Sequence, residues 1–106
     1  MNKELVKLLV KTKNILEKKG WTQNACSRDK DGNARLSLYP KAYSYCLGGA
    51  ITKAGCGILY NTIQDQLALT LKNNRFSIVG WNDAKGRTKK QVIALLDKTI
   101  TRLSKA

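Results

Sequence analysis

Residues 76–88 read FSIVGWNDAKGRT, and this stretch decides how the rest of the chain is arranged. Its apolar start predicts a short strand or a buried extended segment at residues 76–79. A polar, glycine-bearing turn follows. Thr88 and Gln91 then form a capping-box pattern, the strongest helix-start signal in the sequence. The stretch therefore predicts a turn that leads the chain into a last helix ending near Leu103.

Both ends of the chain show the periodicity of amphipathic helices. Residues 2–19 predict the first helix, and Gly20 suits the position just past its end. Residues 89–103 predict the last one. The expected inner faces are Leu5, Leu8, Leu9, Thr12, Ile15 and Leu16 in the first helix, and Val92, Ile93, Leu96, Ile100 and Leu103 in the last.

Two further helices are predicted in the middle of the chain. Pro40 suits a first helical turn, so a second helix is expected from about residue 41 to residue 54. Gly48 and Gly49 within it predict a close approach to another backbone, because two glycines weaken a helix unless packing needs them. Asn61 and Gln64 resemble a capping box and predict the start of the third helix.

The polar segment at residues 22–39 leaves two alternatives open. The Asp31-Gly32 pair is a hairpin-type turn signal, so the flanking residues can form a short hairpin with Leu36 and Leu38 on one face. An irregular loop pinned by Trp21 and Tyr39 is equally compatible. The predicted fold is mainly α: a compact bundle of about four helices, with a short extended or β-hairpin segment after the first helix.

Length and charge set the class of protein. A chain of 106 residues predicts one domain, residues 1–106, with a core that needs neither disulfides nor metal. Twenty basic residues against seven acidic ones give a net charge of +13. Such a field attracts polyanions, namely nucleic acid, an anionic membrane or an acidic protein surface. The plainer alternative is a lysine-rich solvated surface.

The cysteines and the first helix bear on the compartment. Lysines interrupt the first apolar stretch, so we expect no secretory signal peptide, and no apolar run approaches the length of a membrane span. Membrane association is disfavoured because the core needs the apolar arc of the first helix. The three cysteines predict reduced thiols and a cytoplasmic protein. Pairing between Cys26 and Cys56 stays open.

The sequence contains few of the residues and motifs that an enzyme active site requires. The chain has no histidine, which removes histidine-based nucleophile pairs and most zinc or iron sites. Cys46 fits a small core residue on a helix face. Residues 29–33 resemble the start of a calcium loop, but Ala34 and Pro40 stand where that loop needs glycine and a carboxylate. The glycines match no phosphate-binding motif. We expect no catalysis, no cofactor and no metal.

Asp83 is the one carboxylate in a distinctive setting. It is predicted to bond backbone amides in the turn before the last helix, or to pair with Arg87, rather than to act in catalysis. Trp81 is predicted to fill the core between the two terminal helices. Asn82 is expected to help fix the turn.

A family pattern joins these motifs. Gly20-Trp21, the turn at residues 31–32 and residues 42–51 (AYSYCLGGAI) form one half of it, and Trp81-Asn82-Asp83 with Arg87-Thr88 and the VIALLD helix forms the other. Together they resemble a family of small uncharacterised proteins found in bacteriophages and some bacteria. The resemblance implies a mostly helical domain and supplies no catalytic residue. The structural motif positions are Trp21, Cys46, Trp81, Asn82, Asp83, Arg87 and Thr88.

The leading functional expectation is a non-enzymatic, phage-type protein that binds a polyanion in the cytoplasm of a bacterial host. Its target would be nucleic acid or a nucleoprotein complex, contacted without reading of bases. The alternative is an inhibitor of a bacterial defence or host enzyme, with Val6, Val10 or Leu69 in its contact patch. The candidate nucleic-acid-binding residues are Lys3, Lys7, Lys11, Lys18, Lys98, Arg102 and Lys105.

Overall fold

The structure is a computed structural model that describes residues 2–105. Helices dominate it, and a small antiparallel sheet follows the first helix, so the predicted fold class is confirmed. The elements occur in the order α1 (Asn2–Lys19), β1 (Ser27–Arg28), β2 (Ala34–Arg35), β3 (Ser44–Tyr45), α2 (Leu47–Lys53), a 3-10 helix (Gly57–Leu59), α3 (Tyr60–Leu71), α4 (Ile78–Asn82) and α5 (Lys89–Ser104).

The terminal helices form the framework of the bundle. α1 packs against α5 and α2, and α3 also packs against α5. The apolar arcs expected from the helical period face inward in both helices, with Leu8, Ile15, Ile93 and Ile100 at their edges. The fully buried core side chains include Leu5, Leu9, Leu16, Leu47, Ile51, Ile63, Leu67, Ile78, Val92 and Leu96.

The polar segment after α1 contains the hairpin that was one of the two alternatives. Ser27 pairs with Arg35 and Arg28 with Ala34 in antiparallel register, and β3 pairs with the other edge of β1. The strands are only two residues long. Leu36, which lies beyond β2, is therefore 80% exposed and does not share a buried face.

The start predicted for the second helix is wrong. α2 begins at Leu47 because the backbone before it is used by the sheet. The amide of Tyr43 donates to the Arg28 carbonyl (2.7 Å), and that of Tyr45 donates to the Gly20 carbonyl (3.0 Å). Cys46 then caps the helix, its Sγ accepting from the Gly49 amide. Tertiary hydrogen bonds override the local signal of Pro40.

The capping box predicted for the third helix is also wrong. A 3-10 turn leads directly into α3, and Leu59 at its cap position makes no side-chain bond. Gln64 instead turns toward α4, where its Oε1 accepts from the Ile78 amide (3.0 Å). Of the expected inner face, Ile63 and Leu67 are buried, Thr70 is half-buried and Leu71 is exposed.

Residues 76–79 do not form the predicted strand or extended segment. Ser77 caps a short helix, α4, and its Oγ accepts from the Gly80 amide (3.1 Å). Phe76 and Ile78 are buried as the apolar pattern requires. The capping box at α5 is confirmed, with both of its bonds formed between Thr88 and Gln91 (3.0 and 3.2 Å). The chain thus reaches α5 through the short helix α4 and a turn at residues 83–88.

The two glycines of α2 lie where the helix meets its neighbours, as predicted. A Cβ on Gly49 would overlap the backbone carbonyl of Cys26, and one on Gly48 would lie 2.6 Å from the Tyr60 hydroxyl. The obstacle at Gly49 is the backbone of Cys26, which is held in place next to β1. The obstacle at Gly48 is the hydroxyl at the end of the Tyr60 side chain.

We expect G49A to destabilise the protein by about 1–3 kcal/mol or more, because the added methyl forces α2 away from the β1 segment. This reverses the gain of about 0.5–1 kcal/mol that Gly→Ala normally brings inside a helix. Urea unfolding measures the difference. The matched control is G48A in a Y60F background, where the obstructing hydroxyl is gone. Equal stability of G49A and wild type would contradict the close packing.

Candidate functional site

The lysine face of α1 consists of Lys3, Lys7, Lys11 and Lys18, all of them exposed. Spacings of four and seven residues place them on one side of the helix, opposite the side that buries Leu9. Within residues 2–105, none of these four lysines forms an ion pair. At 1.5 Å of rise per residue, the face is a row of cations about 22 Å long.

The candidate cations of α5 have two different roles. Lys98 and Lys105 are exposed. Arg102 is half-buried, and its Nη2 donates to the carbonyl and the Oε1 of Gln66 (2.8 and 2.9 Å). Its Nε also donates to Thr70 Oγ1 (3.4 Å). Arg102 therefore binds α5 to α3 and is less available to a ligand than its two neighbours.

An ion pair joins the two terminal helices. Lys13 of α1 pairs with Asp97 of α5 at 2.7 Å. The hydrogen bond to Asp97 raises the pKa of Lys13 despite some desolvation. Asp97 thus faces α1, whereas Arg102 faces α3. Lys98, one turn before Arg102, accordingly lies on the flank of α5 that is turned away from α1.

Two of the motif residues, Trp21 and Asp83, bond to one buried carboxamide, that of Asn82. Its Oδ1 accepts from the indole Nε1 of Trp21 (2.6 Å) and from the Leu47 amide (2.9 Å). Its Nδ2 donates to the Thr22 carbonyl (3.2 Å) and to Asp83 Oδ1 (2.9 Å). The side chain is fully buried, and these bonds use both its donor and its acceptor capacity. We call Asn82 with these four partners the Asn82 joint.

Residues next to the Asn82 joint extend it. Asp83 Oδ1 accepts from the amide of Asn24 (2.9 Å), whose backbone is left-handed with φ of 64°. Gln23 Nε2 donates to the carbonyls of Asn82 and Ala84, both at 2.9 Å. Asp83 therefore does bond a backbone amide, but the amide belongs to residue 24 and not to the turn before α5.

The prediction that Trp81 fills the core between the terminal helices is wrong. Its ring is half-buried and packs against Phe76, with ring centroids 6.1 Å apart. The guanidinium of Arg87 covers the ring at 3.9 Å from its centroid, and Arg87 Nε donates to the Trp81 carbonyl (2.8 Å). Trp81 lies at the edge of the core because the helical geometry of α4 turns Ile78 and Asn82 inward instead.

Two of the three thiols, those of Cys46 and Cys56, have the character of packing groups. Cys46 and Cys56 are buried, and burial raises the pKa of both thiols, which disfavours the reactive thiolate. Cys26 is exposed, and all three are free thiols, so the structure contains no Cys26–Cys56 disulfide. Across residues 2–105, no cluster of three or more His, Cys, Asp or Glu side chains could hold a metal ion.

Sequence reasoning missed the partners of Gln23 and Gln64. Gln64 caps α4 from 14 residues away, and Gln23 reaches a carbonyl 59 residues along the chain. A glutamine with such distant partners leaves no local spacing signal.

Among the helices of the described chain, none combines the length and apolar character that a membrane span requires.

Residues 1–102 match the Family of unknown function (DUF6197). The chain belongs to this family. Comparison with the curated proteins and with solved structures found no match. The predicted kinship with an uncharacterised family is thus confirmed. Membership of DUF6197 assigns no activity, so the functional argument rests on the exposed surface of this chain.

The Asn82 joint makes N82D a pH-dependent probe. The introduced carboxyl would lie buried beside Asp83, and both burial and like charge raise its pKa. Below about pH 4 it is protonated in the folded and the unfolded chain, and its single O–H can replace one of the two bonds that the amide donates. As pH rises, the unfolded chain loses this proton first. The unfolding free energy then falls relative to wild type, by about 1.4 kcal/mol per pH unit, until the folded-state pKa is reached.

Urea unfolding of N82D and wild type between pH 4 and pH 8 measures this difference. N74D, at an exposed asparagine, is the matched control, and its difference from wild type should stay within about 0.5 kcal/mol. An N82D penalty that does not change with pH would contradict the buried position of the carboxamide.

Proposed function

We propose that the protein is a non-enzymatic binding protein that acts on a polyanion, either nucleic acid or a nucleoprotein complex, through the lysine face of α1. The observation that carries the proposal is the row of four exposed lysines without ion-pair partners among the described residues, on the side of α1 opposite the core. Lys98 and Lys105 add two further exposed cations on α5. Arg102 contributes chiefly to packing.

The dimensions and charge of the lysine face suit a phosphate backbone. A row about 22 Å long spans roughly six base-pair steps at 3.4 Å per phosphate along one strand. The net charge of +13 attracts a polyanion over long range and speeds the encounter. Lysines that contact phosphates position a protein without reading bases. Binding should therefore be independent of sequence and sensitive to salt.

Replacing Lys3, Lys7, Lys11 and Lys18 together by Gln should weaken duplex DNA binding. The slope of log K against log salt should become shallower by about 3–4, because each phosphate contact contributes about 0.9. Fluorescence anisotropy with a labelled 20-base-pair duplex, across about 50–200 mM salt, measures both affinity and slope.

The matched control replaces four other exposed lysines by Gln, namely Lys53, Lys72, Lys85 and Lys90. It removes the same charge from other parts of the surface and should leave most of the slope intact. An equal loss in both variants would mean that net charge alone acts. Absence of duplex and single-strand binding by wild type at low salt would sink the proposal.

A second candidate is a phage-encoded inhibitor of a bacterial defence or host enzyme. The observation that favours it is Leu69, which is 60% exposed and lines a groove of about 670 Å³ with Ala68 and Lys72. Val10 is partly exposed, but Val6 packs against the core and offers less surface. A stoichiometric protein partner that survives nuclease treatment of a bacterial lysate, and is lost with L69D, would favour inhibition over nucleic-acid binding.

A further inference from the structure

A cleft of about 490 Å³ opens between the end of α1, the β1–β2 turn and residues 39–43. The left-handed turn at Gly20, with φ of 115°, and the bond from the Tyr45 amide to its carbonyl bring these segments together. None of its basic or tyrosine side chains was among the candidate binding residues predicted from the sequence. The tyrosine cleft is defined by Lys19, Lys30, Arg35, Tyr39, Lys41 and Tyr43.

The charge of the tyrosine cleft favours an anion. Lys19, Lys30 and Lys41 are exposed around it, and Asp29 and Asp31 are the acidic side chains on its wall. Asp29 is already engaged by neighbouring groups. Asp31 alone therefore opposes the three lysines.

Asp29 holds Arg35 in a fixed position at the cleft. Burial would raise the pKa of Asp29, but bonds from the amides of Asn33 and Asp31 and from Arg35 outweigh it and lower the pKa. The carboxylate accepts from Arg35 Nε at 3.0 Å. Within residues 2–105 the terminal nitrogens of this guanidinium make no hydrogen bond, so they are oriented and open to a phosphate.

An aromatic platform stands among these cations. The Tyr43 side chain is 59% exposed, and its amide is tied to the Arg28 carbonyl at 2.7 Å, which fixes the base of the ring on the sheet. Tyr39 is half-buried against the core and is covered by Arg35, whose guanidinium lies 4.7 Å from the ring centroid. Tyr43 therefore offers a ring surface to a ligand, and Arg35 offers a planar cation.

We infer that the tyrosine cleft is a subsite for single-stranded nucleic acid, in which an unpaired base stacks on Tyr43 while adjacent phosphates contact Lys19, Lys30 and Lys41. Exposed aromatics among cations are the combination by which proteins bind single strands without reading sequence. This inference rests on the proposed function, because it assumes a nucleic-acid target. It adds a second site and a preferred form of that target.

A duplex cannot use this site in the same way. Its bases are paired and stacked on one another, so no base face is available to Tyr43 unless the strands separate. The cleft volume of about 490 Å³ falls within the range of small-ligand clefts and suits nucleotides entering singly. The lysine face of α1, in contrast, is a convex row that can follow either form of backbone.

The test compares Y43A with wild type on labelled dT16, rU16 and a 20-base-pair duplex, by fluorescence anisotropy at low salt. Stacking on an aromatic side chain is worth about 5- to 150-fold in affinity per base, so Y43A should weaken dT16 or rU16 binding by a factor in this range. Duplex affinity should change less than about twofold. If Y43A weakens the binding of only one of the two single strands, rU16 or dT16, that result identifies the nucleic acid that the subsite accepts.

Two controls separate stacking from other effects. Y43F keeps the ring and should bind single strands as wild type does, whereas L38A removes a neighbouring exposed side chain outside the tyrosine cleft and should have no effect. Circular dichroism confirms that each variant is folded. Binding of single strands that Y43A leaves unchanged would overturn the subsite while the proposed function stands. Binding of neither single strands nor duplex by wild type would overturn both.

The phosphate contacts are tested with K19Q/K41Q against K53Q/K72Q, which removes the same charge elsewhere. The first pair should make the salt slope on dT16 shallower by about 1.4, at about 0.7 per phosphate on single strands. Equal slopes for the two pairs would contradict the placement of phosphates in the cleft.

Discussion

The fold depends on one buried carboxamide, that of Asn82. Its bonds join the segment after α1, the first turn of α2 and the end of α4, and Trp21 and Leu47 are 61 and 35 residues away from it in sequence. A buried donor or acceptor left without a partner costs about 1–3 kcal/mol, so these bonds specify one arrangement of the three segments. Among the described residues, every buried side-chain nitrogen or oxygen has a partner.

The inside and the surface of this protein have different roles. The segments that carry the resemblance to the family, around Trp21, Cys46 and Asn82, lie in or beside the Asn82 joint and satisfy one another. The lysines of the lysine face of α1 and of the tyrosine cleft are exposed and are not part of the core. The fold therefore does not by itself determine the target, and the family to which the chain belongs is one of unknown function.

The parts that sequence predicted are those that local chemistry determines. The period of 3.6 residues placed the arc of α1 and the exposure of Lys3, Lys7, Lys11 and Lys18, and the Thr88 cap placed α5. The errors arose where distant bonds prevail. Sheet bonds occupy the backbone before Leu47, and an apolar run as short as residues 76–79 shows neither helical nor strand period. The partners of Arg102, Gln64 and Asn82 lie too far along the chain for any spacing rule to reveal them.

The most direct test of the Asn82 joint is a double-mutant cycle between Trp21 and Asn82, with unfolding free energies measured for W21F, N82A and the combined variant. W21F removes the indole N–H that donates to Asn82 Oδ1. The ring area that it also loses is lost with and without Asn82, so this loss cancels in the cycle. The two side chains share this bond, so we expect their losses to be non-additive by about 0.5–3 kcal/mol. Losses that add to within about 0.3 kcal/mol would show that the bond does not hold the segments together.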